Sequence, residues 1–304
     1  SYRSSEESKG RPTEREGPAR HEEKRTSEQE KGAEMKTRIE WATHTWNPVT
    51  GCTPVSEGCE HCYAARMAKR LAGRCGYPKD DPFRPGTFHA DKLNDPLKIK
   101  KPSLFFVCSM GDLFHEAVDD EIIFKMFDVI ARASHHTYLL LTKRPERMRR
   151  FFQLCEDWDP SEWPNVWLGV TAENQSRADE RIPILQQIPA AVRFVSVEPM
   201  LGPVDLTTVI DKHTDHFTFG DENVHEEYLY TNALTGRQYF KGGYLPHEKL
   251  DWVICGGETG PGARPMHPDW ARSLRDQCQS AGVPFFFKSW GEYAEFIVNG
   301  KDGF

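Results

Sequence analysis

Cys52, Cys59 and Cys62 lie within eleven residues, a density of thiols found nowhere else in the chain. Gly51 and Gly58 accompany them, so the backbone can turn tightly while the sulfurs point inward. Thiolate sulfur is a ligand for zinc and for the iron atoms of iron–sulfur clusters. The spacing is therefore typical of a loop that holds a metal ion or a cluster.

The two kinds of site differ in the fourth coordination position. Structural zinc takes four ligands, and His61 offers a nominal Cys3His set. However, His61 is adjacent to Cys62, and neighbouring side chains rarely meet at one tetrahedral ion. A cubane cluster with three cysteine ligands instead leaves one iron free for a small molecule, which is adenosylmethionine in radical enzymes. We expect a cluster, with structural zinc as the alternative.

Short apolar runs, each followed by a helical pattern, must position this loop. The first run ends near residue 46. The other six cover residues 104–108, 138–141, 166–170, 192–195, 252–255 and 284–287. Alternating strands and helices predict a parallel sheet covered by helices. With no dinucleotide-binding glycine turn, the fold class is α/β, a complete or partial parallel β/α barrel with its site at the carboxyl ends of the strands.

Polar residues and glycines recur where these runs end. They are Ser109, Gly111, Asp112, Lys143, Arg144, Thr171, Glu173, Ser196, Glu198, Gly256, Gly257, Glu258 and Lys288. Any one of the acids is explained by helix capping, but four acids at equivalent junctions favour a shared site. Lys288 is either a catalytic amine or the partner of one of these acids.

The chain divides by composition into a core and three additions. We expect a disordered tail at residues 1–35, a barrel core at 36–206 and 250–292, and a C-terminal tail at 293–304. Residues 207–249 interrupt the alternation of strand and helix patterns, and we expect them to form an inserted lid or hairpin over the strand ends. Its histidines are irregularly spaced, which favours a solvent-exposed loop over a second metal site; they are His213, His216 and His225.

Composition excludes several classes of protein. The 304 residues are 38% hydrophobic, enough for a core, and contain no signal peptide or run long enough to span a membrane. We therefore expect a cytoplasmic protein with no membrane partner, and reduced thiols at the scattered cysteines. The net charge of −7 does not favour nucleic acid, but a local basic run does; it comprises Lys143, Arg144, Arg147, Arg149 and Arg150.

Four motifs together carry a resemblance. They are Thr45-Trp-Asn-Pro-Val-Thr-Gly-Cys-x6-Cys-x2-Cys-Tyr-Ala, Ser196-Val-Glu-Pro-Met-Leu-Gly-Pro, Gly256-Gly-Glu-Thr-Gly-Pro and Pro284-Phe-Phe-Phe-Lys-Ser-Trp-Gly. From about Lys36 to Gly291 the chain resembles the phage-associated three-cysteine-motif family, which looks like a divergent branch of the radical adenosylmethionine enzymes. The first gap is six residues, where the general radical-enzyme pattern has three.

The resemblance implies that Cys52, Cys59 and Cys62 ligate a [4Fe-4S] cluster whose open iron binds S-adenosylmethionine. A separate reductant would then supply an electron, and a 5′-deoxyadenosyl radical would abstract hydrogen from a substrate. The implied cofactor contacts are Ser109, Gly111 and Asp112, with Thr171 and Glu173 at the ribose, Gly256, Gly257 and Glu258 on the adenine or substrate side, and Ser196 completing the pocket. The candidate catalytic residues are Lys143, Glu198 and Lys288.

The substrate class stays open at this point. Nucleic acid or a modified nucleoside is favoured by the basic run, and a peptide or partner protein is nearly as well supported. A different class of function is a zinc-stabilised or cluster-stabilised module that binds a partner protein or nucleic acid without radical chemistry.

Overall fold

The computed structural model describes residue 37 and residues 39–155, 158–211, 229–240 and 243–293. The chain divides into two units, Ser1–Glu34 and Met35–Phe304, and every described residue belongs to the second. The division between the two units falls after Glu34. The tail expected at residues 1–35 lies outside the described residues. The inserted histidines and nearly all of the expected C-terminal tail also lie outside them; these are His213, His216, His225 and residues 294–304.

Thirteen strands and five α-helices are formed by the described residues. In chain order the strands are β1 His44–Trp46, β2 Val49–Thr50, β3 Thr87–Phe88, β4 Leu104–Val107, β5 Thr137–Thr142, β6 Val166–Thr171, β7 Val192–Val197, β8 Val209–Asp211, β9 Leu229–Asn232, β10 Arg237–Phe240, β11 Gly243–Pro246, β12 Trp252–Gly256 and β13 Phe285–Ser289. The helices are α1 Tyr63–Leu71, α2 Asp120–Arg132, α3 Pro145–Leu154, α4 Gln175–Gln186 and α5 Pro268–Ala281.

The main sheet contains seven strands in the order β1-β4-β5-β6-β7-β12-β13, and each neighbouring pair is parallel. The sheet curls into a half-barrel, so the partial form of the predicted β/α barrel is the one observed. Because the strands are parallel and follow chain order, all their carboxyl ends lie at one edge. We call this edge the rim.

Helices cover the convex face of the sheet. In α2, Ile123, Met126 and Ile130 recur at helical spacing and are buried against the sheet. Helix α5 begins at Pro268, whose fixed φ suits a first turn, and ends before Gly282, which adopts a left-handed φ of 68°.

The concave face is filled by side chains below the rim. Leu139, Phe194 and Ile254 alternate with the residues that face the helices, and Trp41 packs onto them from the segment before β1. Gly169 leaves the space that the Phe194 ring occupies, since a Cβ there would collide with the ring.

The inserted segment forms a second, antiparallel sheet with the order β11-β10-β9-β8. Its first strand lies along α4, where the backbone N–H of Ile210 donates to Asp179 Oδ1 at 3.1 Å. Just before that strand, the N–H of Leu206 donates to Gln277 Oε1 of α5 at 2.8 Å. The described part of this inserted sheet thus packs on the outer helices of the half-barrel.

The predicted lid over the strand ends depends on the connection between β8 and β9. Residues 212–228 of that connection lie outside the described residues, so the lid stays a prediction. Within the described part of the chain, no helix has the length and apolar character needed to cross a membrane.

Candidate cluster site at the rim

The cysteine loop, residues 51–62, leaves the rim directly after β1 and β2. Its start is fixed to the loop after β4, because the N–H of Gly51 donates to the carbonyl of Met110 at 3.0 Å. Gly111 lies against the same point, and a Cβ there would be 2.9 Å from the Gly51 carbonyl oxygen. At its other end the loop passes into α1, whose N-cap is Cys62. The last loop cysteine therefore lies at the start of a helix.

All three loop cysteines are free thiols that are neither fully buried nor fully exposed. Burial, aided by the nearby Asp112 carboxylate, raises the pKa of the Cys52 thiol to about 11 despite the opposing charge of Arg144. The Arg144 guanidinium donates to Cys52 Sγ at 3.2 Å, a contact that a thiolate strengthens.

The loop cysteines do not form a converged ligand set for one metal ion in this structure. Among the described residues, no group of three or more His, Cys, Asp or Glu side chains is placed to hold a single ion. His61, the nominal fourth zinc ligand, packs against Gly262, where a Cβ would be 2.8 Å from the imidazole Cε1.

The other five cysteines contrast with the loop. Cys108, Cys255 and Cys278 are buried, and burial raises the pKa of each thiol to about 12. Cys155 is partly buried and Cys75 is exposed. The expectation of reduced core thiols therefore describes three of these five positions.

Asp112 and Arg144 tie the start of the loop to β4 and β5. Arg144 Nη1 donates to Asp112 Oδ2 at 3.0 Å, and Arg144 Nη2 donates to the Thr53 carbonyl at 2.9 Å. The Thr142 hydroxyl donates to Asp112 Oδ1 at 2.8 Å. The Asp112 carboxylate is thus occupied by protein groups that hold Thr53 in place.

Glu173 forms a buried ionic cluster after β6. The carboxylate is fully buried and accepts from Lys143 Nζ at 2.7 Å and from Arg181 Nη1 at 2.9 Å. Burial alone would raise the pKa of Glu173, but these two cations hold it below its ordinary value. The Ser56 hydroxyl donates to Oε1 at 2.5 Å, and Gly58 has no room for a Cβ beside the carboxylate. The middle of the cysteine loop therefore rests on Glu173.

Glu57 anchors the same part of the loop to α4. It accepts from Arg177 Nη2 at 2.9 Å and from the side chain of Asn174. The hydrogen bond from Arg177 lowers the pKa of Glu57 to about 2. The carboxylate is consequently charged at neutral pH and remains paired.

Arg264 attaches the loop to the segment after β12. Its guanidinium donates to Glu258 Oε1 at 2.7 Å, to Glu60 Oε2 at 3.0 Å and to the Glu57 carbonyl at 2.9 Å. Burial tends to raise the pKa of Glu258, and the Arg264 contacts outweigh it and lower the pKa. A loop that begins at the first strand is thereby held by the sixth strand of the sheet.

A second group of predicted residues lies on the concave side of the rim. Thr171 and Ser196 are neighbours in register and are buried. Glu198 forms an ion pair with Lys288, as one of the two predictions for Lys288 states, and both remain partly exposed. A Cβ at Gly256 would be 3.4 Å from both side chains, so Gly256 lies directly beside the pair. Gly257 instead lies against the Trp290 carbonyl.

Comparison with known families places the chain in a group without an assigned activity. The family described as "Protein of unknown function (DUF5131)" matches residues 36–302. The chain belongs to this family. No curated protein and no solved structure matches it.

The basic run of this family member is neutralised by acids. The pairs are Lys143 with Glu173, Arg144 with Asp112, Arg147 with Asp120, Arg149 with Glu146 and Arg150 with Glu116. Because each cation has a carboxylate within salt-bridge distance, the run gives no local positive patch. The sequence argument for nucleic acid at this position loses its physical basis.

Sequence reasoning found the acids of the rim and the partners Lys143, Arg144 and Lys288, but not the remaining cations. Arg177, Arg181 and Arg264 were missed, although Arg177 and Arg181 are four residues apart and lie on one face of the helix that follows Glu173. That spacing was an available signal. Arg264 follows a glycine-rich segment and had no comparable signal.

Ser109, also expected at the cofactor, donates to Asn47 Oδ1 at 3.1 Å. The same Asn47 Oδ1 also accepts from the N–H of Met110 at 2.9 Å. The Asn47 side chain therefore joins the loops after β1 and β4. Its contact is again one that positions the cysteine loop.

Proposed function

We propose that this protein is an iron–sulfur, adenosylmethionine-dependent radical enzyme that acts on an unidentified substrate in the cytoplasm. The observation that carries the proposal is the cysteine loop itself. Three free, half-buried thiols extend from the first strand of a seven-stranded parallel half-barrel, at the edge where such folds place their sites.

Cys52, Cys59 and Cys62 would hold a [4Fe-4S] cluster. When bound, the cluster supplies one electron for reductive cleavage of S-adenosylmethionine. At Cys52 the nearby Arg144 guanidinium favours the thiolate that ligation requires, but burial and Asp112 outweigh it and keep the pKa raised, so the metal would displace the thiol proton there. At Cys62 the start of α1 favours the thiolate. The chain thus offers positive charge at both ends of the ligand set.

The polar rim residues divide into two roles. We assign Asp112, Glu173 and Glu258 to positioning, because their carboxylates hold the cysteine loop. Glu198 and Lys288 are the better candidates for contact with substrate. They are partly exposed, lie beside Gly256, and offer one acceptor and one ammonium donor.

Anaerobic reconstitution with iron and sulfide tests the proposal. We expect about four iron and four sulfide per chain, visible charge-transfer absorption, and release of 5′-deoxyadenosine when dithionite and S-adenosylmethionine are added. Cys59→Ala should remove the absorption and the release while the protein stays folded. Cys75→Ala, which changes an exposed cysteine outside the loop, is the matched control. A folded protein with neither cluster nor product contradicts the proposal.

A zinc-stabilised binding module is the second candidate. The observation in its favour is that most rim carboxylates pair with protein cations, which suits a structural role. One equivalent of zinc without iron or sulfide, together with loss of the fold in Cys59→Ala, would support this module over the enzyme.

A further inference from the structure

We propose that the outer face of the inserted sheet binds single-stranded nucleic acid by stacking bases on three tyrosines beside Arg237. The proposal goes beyond the radical chemistry and does not depend on a cluster. It rests on strands β9, β10 and β11, which have no assigned role.

The three tyrosines form one row across three strands. Tyr239 of β10 is in register with Tyr230 of β9 on one side and with Tyr244 of β11 on the other. Directly opposed residues of antiparallel strands project from the same face, and neighbouring strands lie about 4.8 Å apart. The row therefore presents three rings within about 10 Å.

The row lies on the solvent side of the inserted sheet. Tyr230, Tyr239 and Tyr244 are 43%, 39% and 53% exposed, whereas Thr231 on the alternate face is 1% exposed. The alternate face is packed at Thr231 in β9, whereas β11 is exposed on both faces. Burial in the core does not explain three tyrosines at these positions.

A cation borders the row. Arg237 is exposed, lies two residues from Tyr239 on the same face, and has its Cζ 5.0 Å from the centre of the Tyr244 ring. The described strands β9, β10 and β11 contain one cation, Arg237, and no carboxylate, in a chain whose net charge is −7. The stretch is therefore locally suited to an anionic ligand.

These features match the chemistry of single-stranded recognition. Bases stack on exposed aromatic rings of small antiparallel sheets, and arginine contributes both charge and stacking. A peptide added to the edge strand β11 fits less well, because Pro246 has no N–H to donate and Gly243 weakens the strand.

Fluorescence anisotropy with labelled oligonucleotides tests the proposal on the full chain without reconstitution. The probes are twenty-residue oligo(dT), oligo(rU) and a duplex of the same length, at low salt. We expect both single strands to bind more tightly than the duplex. Tyr239→Leu and Tyr244→Leu, which keep apolar bulk but remove the ring, should each weaken binding roughly tenfold. Tyr239→Phe should bind like the wild type.

Leu245→Ala is the matched control. Leu245 neighbours Tyr244 on the same strand, is 57% exposed and projects from the other face, so its loss should leave affinity unchanged. Arg237→Gln should weaken binding and reduce the salt slope by about 0.7. Far-UV circular dichroism and a melting curve establish that each variant is folded.

Three results would overturn the proposal. They are the absence of single-strand binding at low salt, equal affinity in the folded ring-removing variants, and equal weakening by Leu245→Ala. Because the assay needs no cluster, a protein that fails the radical test can still bind, and a radical enzyme can still fail here.

Discussion

The rim and the inserted sheet differ in how they use polar side chains. At the rim, Glu173 is fully buried and satisfied by Lys143, Arg181 and Ser56. On the inserted sheet, the tyrosines of β9, β10 and β11 are 39% to 53% exposed. One region is closed around its own charges, and the other faces solvent.

The difference indicates what each region contributes. Burying charge is costly unless every partner is present, so a buried ionic cluster fixes the geometry of the segment attached to it. At the rim that segment is the cysteine loop. An exposed aromatic face requires no burial of charge and does not fix the geometry of a neighbouring segment. Such a face suits contact with a ligand from outside.

The largest effect is expected from Glu173→Gln. The substitution leaves the charges of Lys143 and Arg181 uncompensated in a buried site, at a cost of about 3–5 kcal/mol in the free energy of unfolding. Urea denaturation followed by circular dichroism measures it. Glu121→Gln, which breaks an exposed pair with Lys125 on α2, should leave the midpoint unchanged. Equal midpoints for both variants would remove the distinction between the rim and the surface.

A smaller effect is expected from Arg264→Ala. The guanidinium joins Glu258 to the loop at Glu57 and Glu60, and its loss should cost about 1–3 kcal/mol. The loop should also open more often, so Cys59 should react faster with a thiol reagent in the cluster-free protein.

The matched control for that variant is Arg272→Ala on α5, which removes an exposed pair with Asp269. It should change neither the unfolding midpoint nor the rate of thiol modification. If both arginine variants accelerate modification alike, Arg264 is not the residue that holds the loop.

Acidification should loosen the rim before the inserted sheet. Nearby cations hold the pKa values of Glu173 and Glu258 below the ordinary value of 4.5. A lowered folded-state pKa contributes stability that is complete above the unfolded value and is lost as pH falls through the folded value. Hydrogen exchange in residues 56–60 should therefore increase below about pH 4.5. Unchanged exchange there, with increased exchange in β9 and β10, would contradict this order.

The sequence predicted the parallel sheet because its signal is local. Each apolar run of the main sheet carries its own period, and the seven predicted strands correspond to β1, β4, β5, β6, β7, β12 and β13. The row of polar residues at the rim followed from the same reasoning, since parallel strands in sequence order must end at one edge.

The pairing of those residues was not predictable in the same way. Arg264 meets Glu60 across 204 positions of the chain, a contact set by the curvature of the half-barrel. The tyrosine row was also not predictable from the sequence. It depends on the register between three strands, and residues 207–249 lack a clear period in sequence. Local patterns specify elements, whereas long-range pairs require the fold.

The smallest effect on stability is expected from Tyr239→Ala on the inserted sheet. The ring packs across strands against Tyr244, with the two ring centres 6.1 Å apart, so its loss should cost about 0.2–1 kcal/mol. The urea midpoint of this variant should fall close to that of Leu245→Ala and far above that of Glu173→Gln. A loss as large as that of the rim variant would mean that the tyrosines support the fold, and the contrast between a closed rim and an open sheet would fail. A small loss leaves binding as the explanation for three aligned rings facing solvent, because neither core packing nor helix contact then accounts for them.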